Sequence, residues 1–364
     1  MGERTVVVSD LHLGSSSTLL GQPWARAALA TALQGASRVV LLGDTIELRQ
    51  GPVRTAVGAA REVLAELAGV LRGVEVVIVA GNHDHALLAG WRARRSAAPD
   101  SPAPLGLEQR LTPAEASWPA RALAEALPTA AISMAYPGVW LGERVYATHG
   151  HYLDCHSTLP TLERLGAGLM TRLLGALPAG RLEPEDYEAR LDPIYAWIHA
   201  VAQHRDRHRF ASDGGSARAW KTLSAPGRRP LRARALTGLL PLGIRALNRA
   251  GLGPLRADLS PAEVRRVGTR AMAQVVSRLG IDADHVIFGH THRAGPLAQE
   301  PPVEWRAGDA ALVNSGCWVF EPGLLARGPD SPFWPGTCVV LDGSAPPVLS
   351  RLLGGSAATG PRPA

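Results

Sequence analysis

Short buried strands that alternate with amphipathic helices predict an α/β protein built on a mostly parallel sheet. Apolar, β-branched runs occur at Val6 to Ser9, Val39 to Leu42 and Val74 to Ala80, and helical spacing of Ala, Val and Leu occurs at Trp24 to Leu33 and Ala56 to Leu71. In such a βαβαβ order, functional side chains lie just beyond the carboxyl ends of the strands. The composition agrees, because 364 residues of which 46% are hydrophobic and 19% charged are enough to bury a core.

The elements that follow the third strand are less regular. Ala93 to Trp118 is rich in Pro, Ala and Ser, which predicts a surface excursion. The runs Ile132 to Tyr136 and Val139 to Ala147 predict two further strands, and Pro137-Gly138 between them predicts a tight turn.

A long stretch with little strand character lies between His149 and His290 and predicts a helical insertion. We expect a main domain over residues 1–348, interrupted by this insertion at residues 152–282. The small, Pro-containing residues 354–364 predict a flexible tail.

The end of the insertion has a helix-start signal. Ser260 to Glu263 has the sequence Ser-Pro-Ala-Glu, which is typical of a capping box with Pro at the first helical position. Strand-like runs return after this helix, at His285 to Phe288, Ala311 to Val313 and Thr337 to Leu341.

Cysteine usage and the N-terminal residues bear on the compartment. Cys155, Cys317 and Cys338 have no Cys-x-x-Cys spacing, which disfavours both a disulfide framework and a zinc–thiolate site. The chain runs almost directly into Thr5 to Val8, without a basic leader or an apolar stretch of signal-peptide length. We therefore expect a cytoplasmic protein, with peripheral contact to the inner face of the membrane left open.

A compact polar motif stands at the end of each strand of the predicted core. The motifs combine carboxylate, imidazole and carboxamide groups with glycine and contain no thiol, which favours Mn, Fe, Zn or Mg over a soft-metal site. Residues two apart on extended backbone share a face, and glycine lets the chain turn sharply beneath a cluster. The five motifs are Asp10-Leu11-His12, Gly43-Asp44-Thr45-Ile46-Glu47, Gly81-Asn82-His83-Asp84, Thr148-His149-Gly150-His151 and Gly289-His290-Thr291-His292. Together they predict a two-metal centre.

These motifs, in this order, resemble those of the calcineurin-like metallophosphoesterase superfamily, over the chain from Thr5 to about Leu341. The resemblance implies a four-layer α/β/β/α sandwich with two mixed sheets and a di-metal site at the strand ends. It also implies that Asp44 bridges the two ions. The ligands that it implies are Asp10, His12, Asp44 and His292 for one ion, and Asn82, His149 and His290 for the other.

The same resemblance gives His83 and Glu47 catalytic roles. His83 would face the scissile phosphate and stabilise the transition state or protonate the leaving oxygen, and Glu47 would orient it. Two divalent ions about 3.5 to 4 Å apart can hold a bridging hydroxide that attacks phosphorus. Manganese is the favoured ion, with iron, zinc and magnesium as alternatives.

Within the superfamily, the large insertion and the Gly-Asp-x-x-Glu sequence resemble the enzymes that cleave the pyrophosphate of UDP-2,3-diacylglucosamine. Those enzymes typically carry arginine after the Gly-Asn step. This sequence has His83 there, as in broad phosphoesterases, nucleases and phosphatases. The lipid substrate is therefore not carried over, and the sequence identifies no substrate-binding residues.

The basic charge of the chain is concentrated in the insertion. Arg205 to Arg278 contains 16 basic and four acidic residues, whereas the whole chain has a net charge of +6. Residues 214–257 contain no acid, and their Leu and Ile residues are interleaved with arginines. A lid that contacts anionic membrane or steers a phosphorylated substrate is one interpretation, and a plain helical cap with solvated arginines is the other. The four interleaved arginines are Arg232, Arg234, Arg245 and Arg249.

Three function classes follow. A hydrolase of phosphate mono- or diesters, or of a pyrophosphate, is favoured. A metal-dependent nuclease would use the basic part of the insertion to bind DNA or RNA, but that part, residues 205–278, is leucine-rich and has only Trp220 and Phe210 to stack on bases. A non-catalytic scaffold on the same fold is disfavoured, because none of the implied metal ligands is missing.

Overall fold

Two β-sheets share one long strand and pack against each other in the computed structural model, which describes residues 3–97, 103–204, 241–322, 325 and 328–353. The predicted flexible tail at residues 354–364 and the part of the predicted insertion at residues 205–240 lie outside the described residues.

The first sheet carries the predicted βαβαβ unit. Its centre is parallel, in the order β1, β2, β3, β5, and β11 and β12 extend it with antiparallel pairs beyond β1. The register pairs Val7 with Val40 and Val40 with Val77. The elements of this half are β1 (Arg4–Val8), α1 (Pro23–Leu33), β2 (Arg38–Leu42), α2 (Val53–Leu67), β3 (Glu75–Val79), α3 (Ala89–Ala97), β4 (Glu108–Leu111), α4 (Pro113–Ala116), α5 (Trp118–Ala124), β5 (Ala131–Trp140), β11 (Thr337–Asp342) and β12 (Val348–Arg351).

The second sheet continues from the other half of β5. Its order is β5, β6, β7, β10, β8, and β9 pairs with β10. Its strands are β6 (Val145–Thr148), β7 (His285–Phe288), β8 (Ala294–Gly295), β9 (Arg306–Ala307) and β10 (Ala310–Ser315). Three of the helices that precede β7 are α6 (Leu162–Leu174), α7 (Pro184–Gln203) and α8 (Pro261–Leu279).

Alternating residues of the strands supply separate apolar layers. Val6 and Val8 of β1 pack with α1 and α2, whereas Val7 packs between the sheets with residues such as Ile287 of β7. The outer face of the second sheet packs against α8, with Val286 and Met272 in one cluster. Both faces of each sheet are thus covered. The four-layer α/β/β/α arrangement is confirmed.

The tight turn predicted at Pro137-Gly138 is wrong, because β5 runs through it without a break. Ala135 pairs with Val79 in the first sheet, whereas Gly138 pairs with Thr148 in the second. Proline has no N–H to donate to a ladder, and a side chain on Gly138 would overlap Tyr146. The Pro-Gly pair therefore marks the point where one strand passes between two sheets.

The stretch from Ala93 to Trp118 is not wholly a surface excursion. It contains β4, which pairs antiparallel with β5, and α4. The first three residues of β4 are polar and only Leu111 is buried, which suits an edge strand but is equally typical of a loop.

The regular elements described within residues 152–282 are helices, including residues 241–249. Only one of the two hydrogen bonds of the predicted capping box at α8 forms. Ser260 Oγ accepts a hydrogen bond from the Glu263 amide at 3.3 Å, but the Glu263 carboxylate pairs with Arg256 at 2.9 Å instead of returning to Ser260. Among the described residues, no helix has both the length and the apolar character that crossing a bilayer requires.

Candidate metal centre

The predicted ligands stand on sharply bent backbone directly after the strands. Five of them have a positive φ, which an L-residue rarely adopts outside strained functional sites. The Asp10 amide donates to Gly43 O at 3.1 Å and the His12 amide donates to Asp44 O at 2.8 Å, so the loops after β1 and β2 hold each other. The φ values are 54° at Asp10, 46° at His12, 50° at Asp44, 68° at His290 and 53° at His292.

Two glycines leave the space into which the side chains of the site fit. A Cβ at Gly43 would overlap the ring of His149, and a Cβ at Gly81 would overlap the carboxylate of Asp44. Glycine is therefore required at both positions, because neighbouring side chains of the site approach the backbone there too closely for a Cβ atom.

The first ligand group brings together Asp10, His12, Asp44 and His292. His12 Nε2 lies 3.2 Å from His292 Nε2 and 3.6 Å from Asp44 Oδ2, and His292 Nε2 lies 3.3 Å from Asp10 Oδ1. Ligand atoms about 2.0–2.2 Å from one ion lie at about these distances from each other. The spacing of the four side chains therefore fits one cation between them.

The second ligand group brings together Asn82, His149, His290 and the same Asp44. One terminal atom of the Asn82 amide lies 3.0 Å from His149 Nε2, 3.1 Å from His290 Nδ1 and 3.1 Å from Asp44 Oδ2. His149 Nε2 lies 3.4 Å from Asp44 Oδ2. The same Asp44 oxygen therefore lies within 3.6 Å of nitrogen atoms of both groups.

In each of the four predicted ligand histidines, one ring nitrogen faces the ligand group and the other lies beside a hydrogen-bond acceptor of the protein. Such a contact selects the tautomer and thereby the nitrogen that is free to bind an ion. The free nitrogens are Nε2 of His12, His149 and His292, and Nδ1 of His290. The partners are Glu47 Oε2 at 3.1 Å from His12 Nδ1, Leu42 O at 3.0 Å from His149 Nδ1, Asp154 Oδ2 at 2.9 Å from His290 Nε2 and Glu321 Oε1 at 3.6 Å from His292 Nδ1.

The buried charges keep the carboxylates of the centre ionised. Burial alone would raise the pKa of Asp44, but His149, His83 and His12 outweigh it and hold that pKa well below its usual range. Burial alone would lower the pKa of His149, but Asp44 and Asp10 raise it to about 9. The ionised carboxylates are donors that a divalent cation needs, whereas the His149 ring must release a proton before its Nε2 atom can bind an ion.

His83 lies beside the ligand groups and is more open than they are. Its side chain is 25% exposed, whereas those of Asp44 and His12 are 2% and 4% exposed. His83 Nδ1 lies 2.9 Å from Glu47 Oε2. The same Glu47 oxygen also contacts His12, so Glu47 orients a ligand as well as His83, a second contact that the sequence analysis does not include.

Asp84 joins two of the loops. Its carboxylate accepts hydrogen bonds from the Gly81 amide at 2.6 Å and from the Thr45 amide at 2.7 Å. Burial, reinforced by the charge of Asp44, raises the pKa of Asp84 to about 7. Both carboxylate oxygens of the fourth residue of the Gly-Asn-His-Asp motif therefore hold backbone amides of the loops.

The structure adds four residues that the sequence analysis does not single out. Asp154 and Glu321 orient ligand histidines, and Arg49 contacts both Asn82 and Glu163. Asp154 lies soon after His149 in the chain and Arg49 follows Glu47, which are weak local cues. Glu163 and Glu321 have no local cue, because they reach the site from distant segments.

A family model described as calcineurin-like phosphoesterase matches residues 3–222, which is more than half of the chain. The matched range contains the motifs from Asp10 to His149, and the three-dimensional structure brings His290 and His292 to them. A comparison with curated proteins finds no match. On this family match, together with the clustered Asp and His side chains, the chain belongs to the calcineurin-like phosphoesterase family, whose members are metal-dependent phosphoric ester hydrolases.

Proposed function

We propose that the protein hydrolyses a phosphate mono- or diester, or a pyrophosphate, with two divalent ions bound at the two ligand groups. The observation that carries this proposal is the position of Asp44, whose Oδ2 atom lies within 3.6 Å of ligand nitrogens of both groups. A carboxylate in contact with two sets of ligands is the arrangement that a two-metal centre requires.

The donor set supports manganese, with iron, zinc and magnesium as alternatives. The described ligand groups consist of carboxylate, amide and imidazole donors, which suit hard and borderline cations. The nearby Cys317 is not a competing thiolate, because burial raises the pKa of its thiol to about 12.

His83 and Glu47 would act on the substrate side of the centre. When bound, the ions would supply charge neutralisation of the phosphoryl oxygens and an activated water. Glu47 holds His83 Nδ1, which leaves Nε2 as the nitrogen that can donate a proton to the leaving oxygen. The partial exposure of His83 is consistent with such a role, because the substrate must reach it.

We further propose a cytoplasmic location with contact to an anionic membrane surface through residues 214–257 and the adjoining helices. Leu162, Leu169 and Leu173 have a spacing that places them on one side of α6, and they are 51%, 49% and 68% exposed. Exposed leucines beside a basic segment suit an interfacial surface. A nucleic-acid partner is the less favoured alternative, and the part of the segment at residues 214–240 lies outside the described residues.

The function is tested by Asp44→Asn on a substrate panel. The panel contains aryl phosphate mono- and diesters, UDP-sugars, phospholipids and DNA, each with Mn²⁺. We expect wild-type turnover of at least one phosphate ester, and in Asp44→Asn a loss of turnover together with weaker binding of both metals, measured by elemental analysis after dialysis. A variant that keeps full activity and two metals would contradict the shared-ligand assignment, and turnover of DNA alone would favour the nuclease alternative.

A further inference from the structure

Arg49 is a buried cation between the metal centre and the helices of the insertion. Its side chain is 7% exposed. Its Nη1 atom lies 3.1 Å from Glu163 Oε1 in α6 and 3.1 Å from a terminal atom of the Asn82 amide. Its guanidinium carbon lies 4.9 Å from the ring centre of Tyr195 in α7. One side chain therefore contacts a predicted ligand and the insertion helices α6 and α7.

The remaining donors of Arg49 have no partner. Nε and Nη2 are buried and form no hydrogen bond with the described part of the chain. These two atoms form the side of the guanidinium that binds two oxygens of a phosphate or carboxylate in parallel. A buried donor without a partner costs free energy, so an open pair of donors at this place calls for an explanation.

We propose that Arg49 binds anionic oxygens of the substrate phosphate through Nε and Nη2, and that the carboxylate of Glu163 neutralises Arg49 until the substrate enters. This inference rests on the proposed function, because it assigns a phosphate to the site. Asn82 provides the geometric link by position: its Oδ1 atom, which would bind an ion, lies 3.0 Å from His149 Nε2, and its other terminal atom lies 3.1 Å from Arg49 Nη1.

Glu163 and Tyr195 make this binding depend on the insertion. Glu163 contacts Nη1, the Tyr195 ring lies over the guanidinium, and Nε and Nη2 are themselves buried, so a phosphate reaches these donors only when neighbouring side chains move. Glu163 is an internal anion that competes with the substrate for Arg49. Removal of its charge therefore tightens phosphate binding through Arg49.

The phosphate has two possible sources in a substrate. It is either the scissile phosphoryl group or the neighbouring phosphate of a diphosphate. The two cases differ in their kinetics. If Arg49 binds the neighbouring phosphate of a diphosphate, its substitution does not change the KM for a substrate that has a single phosphate.

The first experiment measures the binding of inorganic phosphate to the Mn²⁺-loaded, full-length protein by equilibrium dialysis. We expect Arg49→Gln to raise Kd at least about tenfold, and Arg49→Lys to raise it as well, because lysine keeps the charge but lacks the paired donors. Arg144→Gln is the control, since Arg144 is an exposed arginine that pairs with Asp282 and Asp284 away from the site. Unchanged phosphate affinity in folded, metal-loaded Arg49→Gln overturns the proposal.

A second set of variants separates a specific contact from general charge. Glu163→Gln is expected to lower the Kd for phosphate. The double variant Arg49→Gln/Glu163→Gln removes both partners, so it leaves no unpaired buried charge and is expected to fold. In this double variant the Kd for phosphate should no longer be lowered. If Glu163→Gln tightens binding equally with and without Arg49, then Glu163 acts only through net charge and its competing role is wrong.

Steady-state kinetics distinguish the sources and separate this inference from the proposed function. A raised KM of Arg49→Gln for both an aryl phosphodiester and a UDP-sugar indicates the scissile phosphate, and a raised KM for the UDP-sugar alone indicates its neighbour. If hydrolysis depends on Asp44 but Arg49→Gln binds phosphate as tightly as the wild type, the proposed function is supported and the phosphate contact of Arg49 is rejected. Loss of phosphate binding in Arg49→Gln, in a protein that hydrolyses no phosphate ester, retains the anion site and rejects the function.

Discussion

Glu47 is a single carboxylate that serves two imidazoles with different tasks. Its Oε2 atom lies 2.9 Å from His83 Nδ1 and 3.1 Å from His12 Nδ1, and Oε1 accepts a hydrogen bond from the Arg49 amide at 2.8 Å. Burial alone would raise the pKa of Glu47, but His83 and His12 hold it well below its usual value. The ionised carboxylate therefore couples His12, a predicted metal ligand, to His83.

Glu47→Gln is expected to weaken both functions of this contact. A neutral amide is a poorer acceptor than a carboxylate, so both metal affinity and kcat should fall, each by about 10- to 100-fold. Metal titration and initial rates at saturating metal measure the two effects separately. A fall in kcat with unchanged metal affinity would show that Glu47 acts on His83 alone.

His83 is expected to act on the substrate without holding a metal. His83→Ala should lower kcat by about 10²- to 10⁴-fold, the contribution of a general acid, while two metals stay bound. His285→Ala is a matched control, because His285 opens β7 at the end of the strand opposite His290. Loss of a metal equivalent in His83→Ala would instead make His83 a ligand.

At the scale of elements, buried polar contacts hold helix α7 to the rest of the molecule. Glu188 of α7 accepts hydrogen bonds from Arg92 at 2.6 Å, from Tyr152 at 2.5 Å and from the Tyr136 hydroxyl. Because Arg92 belongs to α3 and Tyr136 to β5, one carboxylate joins the insertion to the first sheet. Tyr195, which covers Arg49, lies two turns further along the same helix, so its position depends on this anchor.

The contact between His156, which precedes α6 in the chain, and Tyr187 of α7 is expected to weaken in acid. His156 lies 2.8 Å from the Tyr187 hydroxyl, and burial, reinforced by Arg278 and Arg164, lowers the pKa of His156 to about 4. Because the unfolded histidine titrates near 6.5, protonation favours unfolding, and this stability is lost as pH falls from about 6.5 towards 4.

Urea unfolding of the wild type and of His156→Gln at pH 7 and pH 5 tests this expectation. The wild type should lose more free energy of unfolding between the two pH values than the variant, whose side chain does not titrate. Equal losses would assign the acid sensitivity to other groups. Measurement at both pH values also cancels the pH-independent cost of the changed contact with Tyr187.

At the scale of the whole molecule, the charge is divided between the insertion and the remainder. Residues 205–278 carry 16 basic and four acidic residues in a chain of net charge +6, so the rest of the chain is acidic on balance. A local excess of arginine is the distribution that a contact with an anionic surface requires.

Neutralising the four interleaved arginines of residues 214–257 together is expected to weaken binding to anionic vesicles. Each arginine near such a surface adds about 1 kcal/mol, screened by salt, so sedimentation with phosphatidylserine vesicles at low salt measures the effect. Hydrolysis of a small aryl phosphodiester should remain. The substituted residues are Arg232, Arg234, Arg245 and Arg249, and the control replaces Arg61, Arg72, Arg121 and Arg306, which are exposed elsewhere. If the wild type does not bind the vesicles, the interpretation of this segment as a helical cap with solvated arginines is favoured.

Local rules were sufficient to predict much of the fold and the order of the polar motifs. β-branched runs predicted β1, β2, β3 and β7 to within about two residues, because a strand buried on both faces needs a continuous apolar run. Gly43 beside Asp44 and Gly81 beside Asn82 indicated backbone that turns sharply under a crowded cluster. In the structure His149 and Asp44 approach these glycines so closely that a Cβ atom would overlap them.

Long-range contacts decided the features that these local rules missed. The continuity of β5 depends on two sheets meeting at Pro137-Gly138, and the half-formed cap of α8 depends on Arg256 competing for Glu263. Arg49 receives Glu163 from α6, and His292 receives Glu321, although nothing in the neighbouring sequence marks these partners. Periodicity and motif spacing report local backbone geometry and burial, whereas the pairing of a side chain with a distant residue follows only from the packing of the complete chain.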